Sequence, residues 1–197
     1  MHPLGFVDPT AKILFAIAII LFAGTEVGIR IRSSLNQGGA KREWTSLIVV
    51  VVGLGGGVAG GVLVGDHVLW AAIPFWRVGL FVAGLVVIVL GVALRIWSVW
   101  VLGRFFTVEV QVHDGQSVVD TGPYRFVRHP SYTGLLLSCL GIGLTLDNWL
   151  ALIIVVVLPT VALGIRIRVE ERTLLAALGE PYVKFAATRS RLIPHVW

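Results

Sequence analysis

The sequence predicts an all-α integral membrane protein with five transmembrane helices, the last two folded as a tight hairpin. Three observations carry that prediction. Hydrophobic residues make up 56% of the chain and charged residues only 14%, against about 25% charged in soluble domains. The mean hydropathy is +0.89. Five apolar segments can be drawn, and the positive charges alternate between them in a regular way.

The segments run from Ile13 to Ile29, Thr45 to Val64, Val78 to Leu102, Tyr132 to Leu146 and Asn148 to Ile165. A spanning helix needs about 20 residues to cross roughly 30 Å of hydrocarbon. The first, second, third and fifth segments approach that length. The fourth is short, so it is expected to tilt, to extend through the polar residues before it, or to span incompletely. Only Asp147-Asn148 separates the last two segments, and two turn-forming residues between apolar runs favour a helical hairpin. One uninterrupted helix over 132–165 is the alternative. The first segment carries Glu26 and no small-residue cleavage site, so it reads as a retained span rather than a signal peptide.

Charge placement fixes the expected orientation. With five spans, 13 of the 16 Lys and Arg fall on one side: Arg30 to Arg42, Arg104 to Arg128, and Arg166 to Arg191. Lys12 and Arg77 fall on the other, and Arg95 lies within a span. The positive-inside rule then puts the N-terminus outside and the C-terminus in the cytoplasm. The formal net charge of +5 reports this orientation, not a nucleic-acid partner. The one cysteine, Cys139, lies in an apolar run and excludes a disulfide framework. The five histidines are scattered without metal spacing, so no metal is expected.

Within the spans, Gly53, Gly57 and Gly61 form a small-xxx-small ladder. Packing inside the chain and a homodimer face are both compatible with it. Arg95 is expected to snorkel to the interface or to pair within the membrane. Glu26 and Arg30 stand four apart, as a helical ion pair would.

Two polar clusters at the same membrane edge read as a site. The first is Gly122-Pro123-Tyr124-Arg125-Phe126-Val127-Arg128-His129-Pro130-Ser131-Tyr132-Thr133-Gly134. Pro130 suits the first position of a helix, where its missing N–H costs nothing. His129 and Ser131 then sit at the helix start, near free backbone donors. Tyr124 and Tyr132 offer flat faces for an adenine. An interfacial aromatic belt accounts for the Tyr and Arg but not for the turn-His-Pro arrangement. The second cluster is Arg166-x-Arg168-x-Glu170-Glu171. Arg166 and Glu170 share a helix face, and the acidic doublet at a cationic edge calls for an offsetting cation or donor.

These residues resemble the isoprenylcysteine carboxyl methyltransferase family and its relatives, which include phospholipid N-methyltransferases. The pattern runs from Leu102-Gly103-Arg104-Phe105-Phe106 through Gln111 to Gly122-x-Tyr124-x-x-x-Arg128-His129-Pro130-x-Tyr132-x-Gly134. It resumes at Arg166-x-x-x-Glu170-Glu171 and closes with Gly179-x-x-Tyr182. Gln116, where relatives often carry His, and Pro123 before Tyr124 depart from it. The resemblance implies a membrane-embedded methyltransferase with S-adenosylmethionine as cofactor. It implies cofactor contacts at Gln111, Gln116, Ser117, Val118, Val119, Tyr124, His129, Pro130, Ser131 and Tyr132, in the cytoplasmic loop and C-terminal region. It implies catalytic and substrate-side roles for Arg166 and Glu170. A lipophilic acceptor would arrive from the bilayer, most readily as a carboxylate. An amine or phospholipid acceptor stays open, as does a non-enzymatic sensor or transporter subunit. Residues 95–197 would form the methyltransferase core and 1–94 the N-terminal helices, within one structural domain.

Overall fold

The computed structural model of the protein describes residues 1–35, 45–108, 115, 117–194 and 196. They form seven α-helices: α1 (Leu4–Val7), α2 (Pro9–Leu35), α3 (Thr45–His67), α4 (Arg77–Leu102), α5 (Pro130–Thr145), α6 (Trp149–Leu178) and α7 (Glu180–Thr188). Among the described residues, four helices are long and apolar enough to cross a membrane: Pro9–Ser34, Thr45–His67, Arg77–Phe105 and Trp149–Leu178. The chain is an integral membrane protein. Its α5 has only 16 residues, about 24 Å at 1.5 Å per residue, short of the hydrocarbon thickness.

Helices α2, α4 and α6 run one way between two ends of the bundle, and α3 and α5 run the other. At one end, Ile73 N–H donates to Asp147 O at 2.7 Å, Asn148 Nδ2 donates to Val68 O at 2.9 Å, and Leu4 N–H donates to Asp147 Oδ2 at 3.0 Å. These bonds tie the N-terminus and the α3–α4 connection to the turn between α5 and α6. Asp147 takes a left-handed conformation there, φ 46°, and Asn148 caps α6 by accepting from the N–H groups of Leu150 and Ala151. At the opposite end, the C-terminal parts of α2 and α4 and the stretch of α6 from Arg166 to Glu171 meet the first turns of α3 and α5.

Packing depends on small residues, because lipid removes the hydrophobic drive between apolar helices. The backbones of α4 and α5 touch at two levels. A Cβ on Gly91 would lie 2.6 Å from Gly134 O, and one on Gly84 would lie 2.6 Å from Gly141 O. The Gly53/Gly57/Gly61 ladder is covered by α6 of the same chain. A Cβ there would meet Ala162, Pro159 and Val155 at 2.5, 3.0 and 2.1 Å. The ladder therefore serves internal packing, and the dimer reading of this face is withdrawn. Around these contacts Phe22, Ile88, Leu135, Cys139, Ile142, Leu146, Val155 and Leu163 form one core drawn from α2, α4, α5 and α6.

One charge expectation is corrected, and the other is met by one of its two alternatives. Arg95 pairs within the bundle and is 7% exposed. Its Nε and Nη2 donate to the two carboxylate oxygens of Glu26 at 2.5 and 2.8 Å. Glu26 thus pairs across to α4 rather than with Arg30 on its own helix, because an arginine below the interface needs a counter-charge more than an exposed one does. Lys41 and Arg42 of the charge count lie outside the described residues.

Candidate functional site

The site begins with a 3-10 turn over Gly122–Arg125. Gly122 has φ 56°, and a Cβ there would lie 2.8 Å from Val101 on α4, so glycine alone lets the turn seat against that helix. The turn buries Tyr124, whose hydroxyl donates to Ser98 O at 3.3 Å. His129 is the N-cap residue of α5 and Pro130 opens the helix. The His129 ring stacks on Tyr132, one turn in, with centroids 5.6 Å apart. Ser131 turns towards α4, where its Oγ accepts from Arg95 Nη1 at 2.7 Å.

Opposite stands one face of α6. It extends as a single helix of 30 residues through the charged cluster, well past the predicted end at Ile165. Arg166, Glu170, Leu174 and Leu178 recur every fourth residue, so all four face the same cleft. The Tyr132 hydroxyl donates to Glu170 Oε2 at 2.6 Å and lies 3.5 Å from Arg166 Nε. Arg166 Nη1 donates to Ser46 Oγ at 2.6 Å, and its Nη2 donates to the carbonyl of Val108. Arg166 is 3% exposed.

Glu171 behaves differently from its neighbour. Arg128 Nη1 stands 2.8 Å from its Oε1, and Arg191 Nε donates to its Oε2 at 3.0 Å. His129 Nε2 lies 3.4 Å away. The C-terminal tail supplies Arg191 because it runs beside the His129 segment: Arg128 N–H donates to Ser190 O at 2.8 Å and His129 N–H to Arg191 O at 3.0 Å. The offset expected for the acidic doublet thus comes from the protein's own arginines at Glu171, which leaves Glu170 facing the cleft.

Two cavities meet here. A cleft of about 840 Å³, counting its open mouth, is lined by Ser117, Val118, Val119, Tyr124, His129, Ser131, Tyr132, Arg166 and Glu170. Leu102, Phe105, Phe106, Thr107, Arg128, Leu174, Leu178, Tyr182 and Phe185 complete its walls. An apolar groove of about 1550 Å³, measured the same way, opens between α2 and α3 and ends at Glu26, Arg30, Arg95, Tyr132 and Arg166. Phe106, Thr107, Tyr132 and Arg166 line both.

Of the residues singled out in the sequence, Ser117, Val118, Val119, Tyr124, His129, Ser131, Tyr132, Arg166 and Glu170 come together. Pro130 is buried and shapes the helix start without lining the cleft. Gln111 and Gln116 lie outside the described residues. Sequence reasoning missed Leu174, Leu178 and Phe185. The four-residue spacing from Arg166 pointed to the first two, and Phe185 follows Tyr182 by one helical turn. Burial holds the hydroxyl pKa values of Tyr124 and Tyr182 well above the usual tyrosine value, with Glu170 adding to both. Both hydroxyls are therefore neutral donors.

A family model described as phospholipid methyltransferase matches residues 80–180, just over half of the chain. The chain belongs to the phospholipid methyltransferase family. Among its relatives within and beside that family, protein-S-isoprenylcysteine O-methyltransferase B of Arabidopsis thaliana is 32% identical over 115 residues, covering 57% of this chain and 58% of that protein. The chain thus spans little more than half the length of that relative. A probable protein-S-isoprenylcysteine O-methyltransferase of Oryza sativa subsp. japonica is 27% identical over 180 residues, 88% of this chain and 90% of that one. A solved structure of the eukaryotic intramembrane Ras methyltransferase ICMT, an isoprenylcysteine carboxyl methyltransferase, superposes with a TM-score of 0.66 at 21% identity. It covers 98% of this chain and 70% of that one, and shows that the two share a fold. The resemblance read from the C-terminal residues is borne out by these matches.

Proposed function

We propose that this phospholipid methyltransferase family member transfers a methyl group from S-adenosylmethionine to the carboxylate of a lipophilic, isoprenylcysteine-like acceptor. The observation that carries this reading is the meeting of a polar, aromatic cleft with a membrane-facing apolar groove at Tyr132 and Arg166. A soluble cofactor and a lipid can then approach one point from two phases.

The cleft fits the cofactor on its own chemistry. Tyr182, Phe105 and Phe185 provide aromatic walls, and Glu170 presents a carboxylate suited to a cationic sulfur. Ser117, Val118, Val119, Tyr124, His129, Ser131 and Tyr132 would hold it, with Pro130 setting the helix start; Gln111 and Gln116 are assigned by resemblance. When bound, S-adenosylmethionine supplies an electrophilic methyl on a positively charged sulfur.

The residues' remaining work is binding and orientation. A carboxylate acceptor is already ionised at neutral pH, so no general base is needed. Arg166 offers a planar guanidinium to it, held by Ser46, Val108 and Tyr132. Glu170 is kept in place by Tyr132. The apolar groove takes the hydrocarbon part and excludes water from the junction.

Three arginines against one glutamate at the polar end of the groove favour an anionic acceptor. The family description favours a second reading, N-methylation of an amine lipid, in which Glu170 would bind the amine. On the proposed topology α5 makes a fifth, short traversal, hairpinned with α6, with the N-terminus outside and the cleft open to the cytoplasm. Calorimetric titration of the purified protein with S-adenosylmethionine tests the cofactor assignment. Saturable binding is expected; no binding overturns the enzyme reading.

A further inference from the structure

The region matched by the family model begins at residue 80, yet Arg166 leans on helices that precede it. Ser46 stands in the first turn of α3, is 3% exposed, and accepts from Arg166 Nη1 at 2.6 Å. The second support is indirect. Ser33, near the end of α2 and 1% exposed, accepts from Val108 N–H at 2.6 Å, and the carbonyl of the same residue accepts from Arg166 Nη2. Both serines thus act on the two terminal nitrogens that would face an acceptor. A guanidinium has five donors in a fixed fork, so binding two of them at set positions fixes the plane that the rest present to the groove. Phe106 and Thr107, next to Val108, line both cavities, so the same bonds hold the partition between them.

We infer that Ser46 and Ser33 are positioning residues for Arg166, through which the two N-terminal helices set the geometry of methyl transfer to the acceptor. The inference rests on the methyltransferase reading above. It gives α2 and α3 a part in catalysis beyond supplying an apolar wall. A side chain that only packs would lose nothing specific on Ser→Ala, since the volume is nearly kept and just the hydroxyl goes. A hydrogen bond to a charged group is worth about 1.5–3 kcal/mol, so losing it from the site that orients the acceptor predicts an effect of about tenfold or more.

The test measures transfer of tritiated methyl from S-adenosylmethionine to N-acetyl-S-farnesylcysteine by purified protein in detergent, with S-adenosylhomocysteine binding and thermal unfolding measured alongside. Ser46→Ala is expected to lower kcat/KM for the acceptor about tenfold, leaving S-adenosylhomocysteine affinity and melting temperature close to wild type. Ser46→Thr, which restores a hydroxyl, should recover most of the loss. Ser33→Ala should move the same parameter in the same direction. Ser34→Ala should change nothing, because that exposed hydroxyl donates to Ile31 O within its own helix. Unchanged acceptor kcat/KM in Ser46→Ala overturns the inference and leaves the methyltransferase reading standing. So does a loss shared equally with cofactor affinity and stability that threonine does not repair. If the wild-type protein transfers no methyl to the acceptor, the methyltransferase reading fails and takes this inference with it.

Discussion

The Tyr132 hydroxyl donates to Glu170 Oε2 at 2.6 Å while standing 3.5 Å from Arg166 Nε. One phenol on α5 thus ties together two side chains one turn apart on α6. Those side chains look into different spaces: Glu170 into the cleft, Arg166 into both cleft and groove. Tyr132 belongs to both, and its position is set in turn by the His129 ring stacked upon it.

Tyr132→Phe keeps the ring and its stacking but removes the tether. Glu170 and Arg166 then lose their common partner, and turnover should fall about tenfold or more, with helical content unchanged. Steady-state methyl transfer together with circular dichroism checks both halves.

Arg166 should not tolerate a change of shape. Lysine keeps the charge but places one ammonium where the guanidinium reaches Ser46, Val108 and Tyr132 at once. With cofactor saturating, Arg166→Lys and Arg166→Gln should both lose most of their turnover. Near-normal activity in both would remove the carboxylate-orienting role and move the assignment to an amine acceptor.

Much of this was legible in the sequence because the chemistry was local. The turn at Gly122, the His129-Pro130 helix start and the four-residue step from Arg166 to Glu170 each follow from short-range rules. What stayed hidden was long-range. Nothing in the spacing of Glu26 and Arg95, 69 positions apart, reveals that they pair. Ser33 and Ser46 are ordinary helix-end residues until α6 brings Arg166 to Ser46 and to the carbonyl of Val108, whose N–H donates to Ser33. The close approach of α5 to α4 was hidden too, because the glycine pairs that permit it, Gly84 with Gly141 and Gly91 with Gly134, stand more than forty residues apart.

The two carboxylates of the doublet should separate by phenotype. Glu171 is 6% exposed and holds Arg128 and Arg191, so Glu171→Gln leaves two arginines short of a counter-charge and loosens the tail. Breaking a buried ion pair costs about 3–5 kcal/mol, and a lower melting temperature in detergent is expected. Glu180→Gln, whose Lys184 partner is exposed, should leave the melting temperature where it was.

Glycine tolerance should follow the packing and not the periodicity. A Cβ at Gly61 would stand 2.1 Å from Val155 Cγ2, whereas at Gly55 nothing lies within 4 Å. Gly61→Ala should destabilise by about 1–3 kcal/mol, and Gly55→Ala should be neutral or slightly favourable. Thermal unfolding of the pair decides it.

The central claim is the kind of bond the methyl group enters. Purified protein is incubated with tritiated S-adenosylmethionine and N-acetyl-S-farnesylcysteine, and the lipid extract is treated with mild base. A methyl ester hydrolyses and releases its label as volatile methanol, while a methyl on nitrogen stays with the lipid. The account predicts volatile label that depends on the acceptor and is lost in Arg166→Gln. Label that resists base and appears in an amine lipid instead, or no transfer at all, would contradict it.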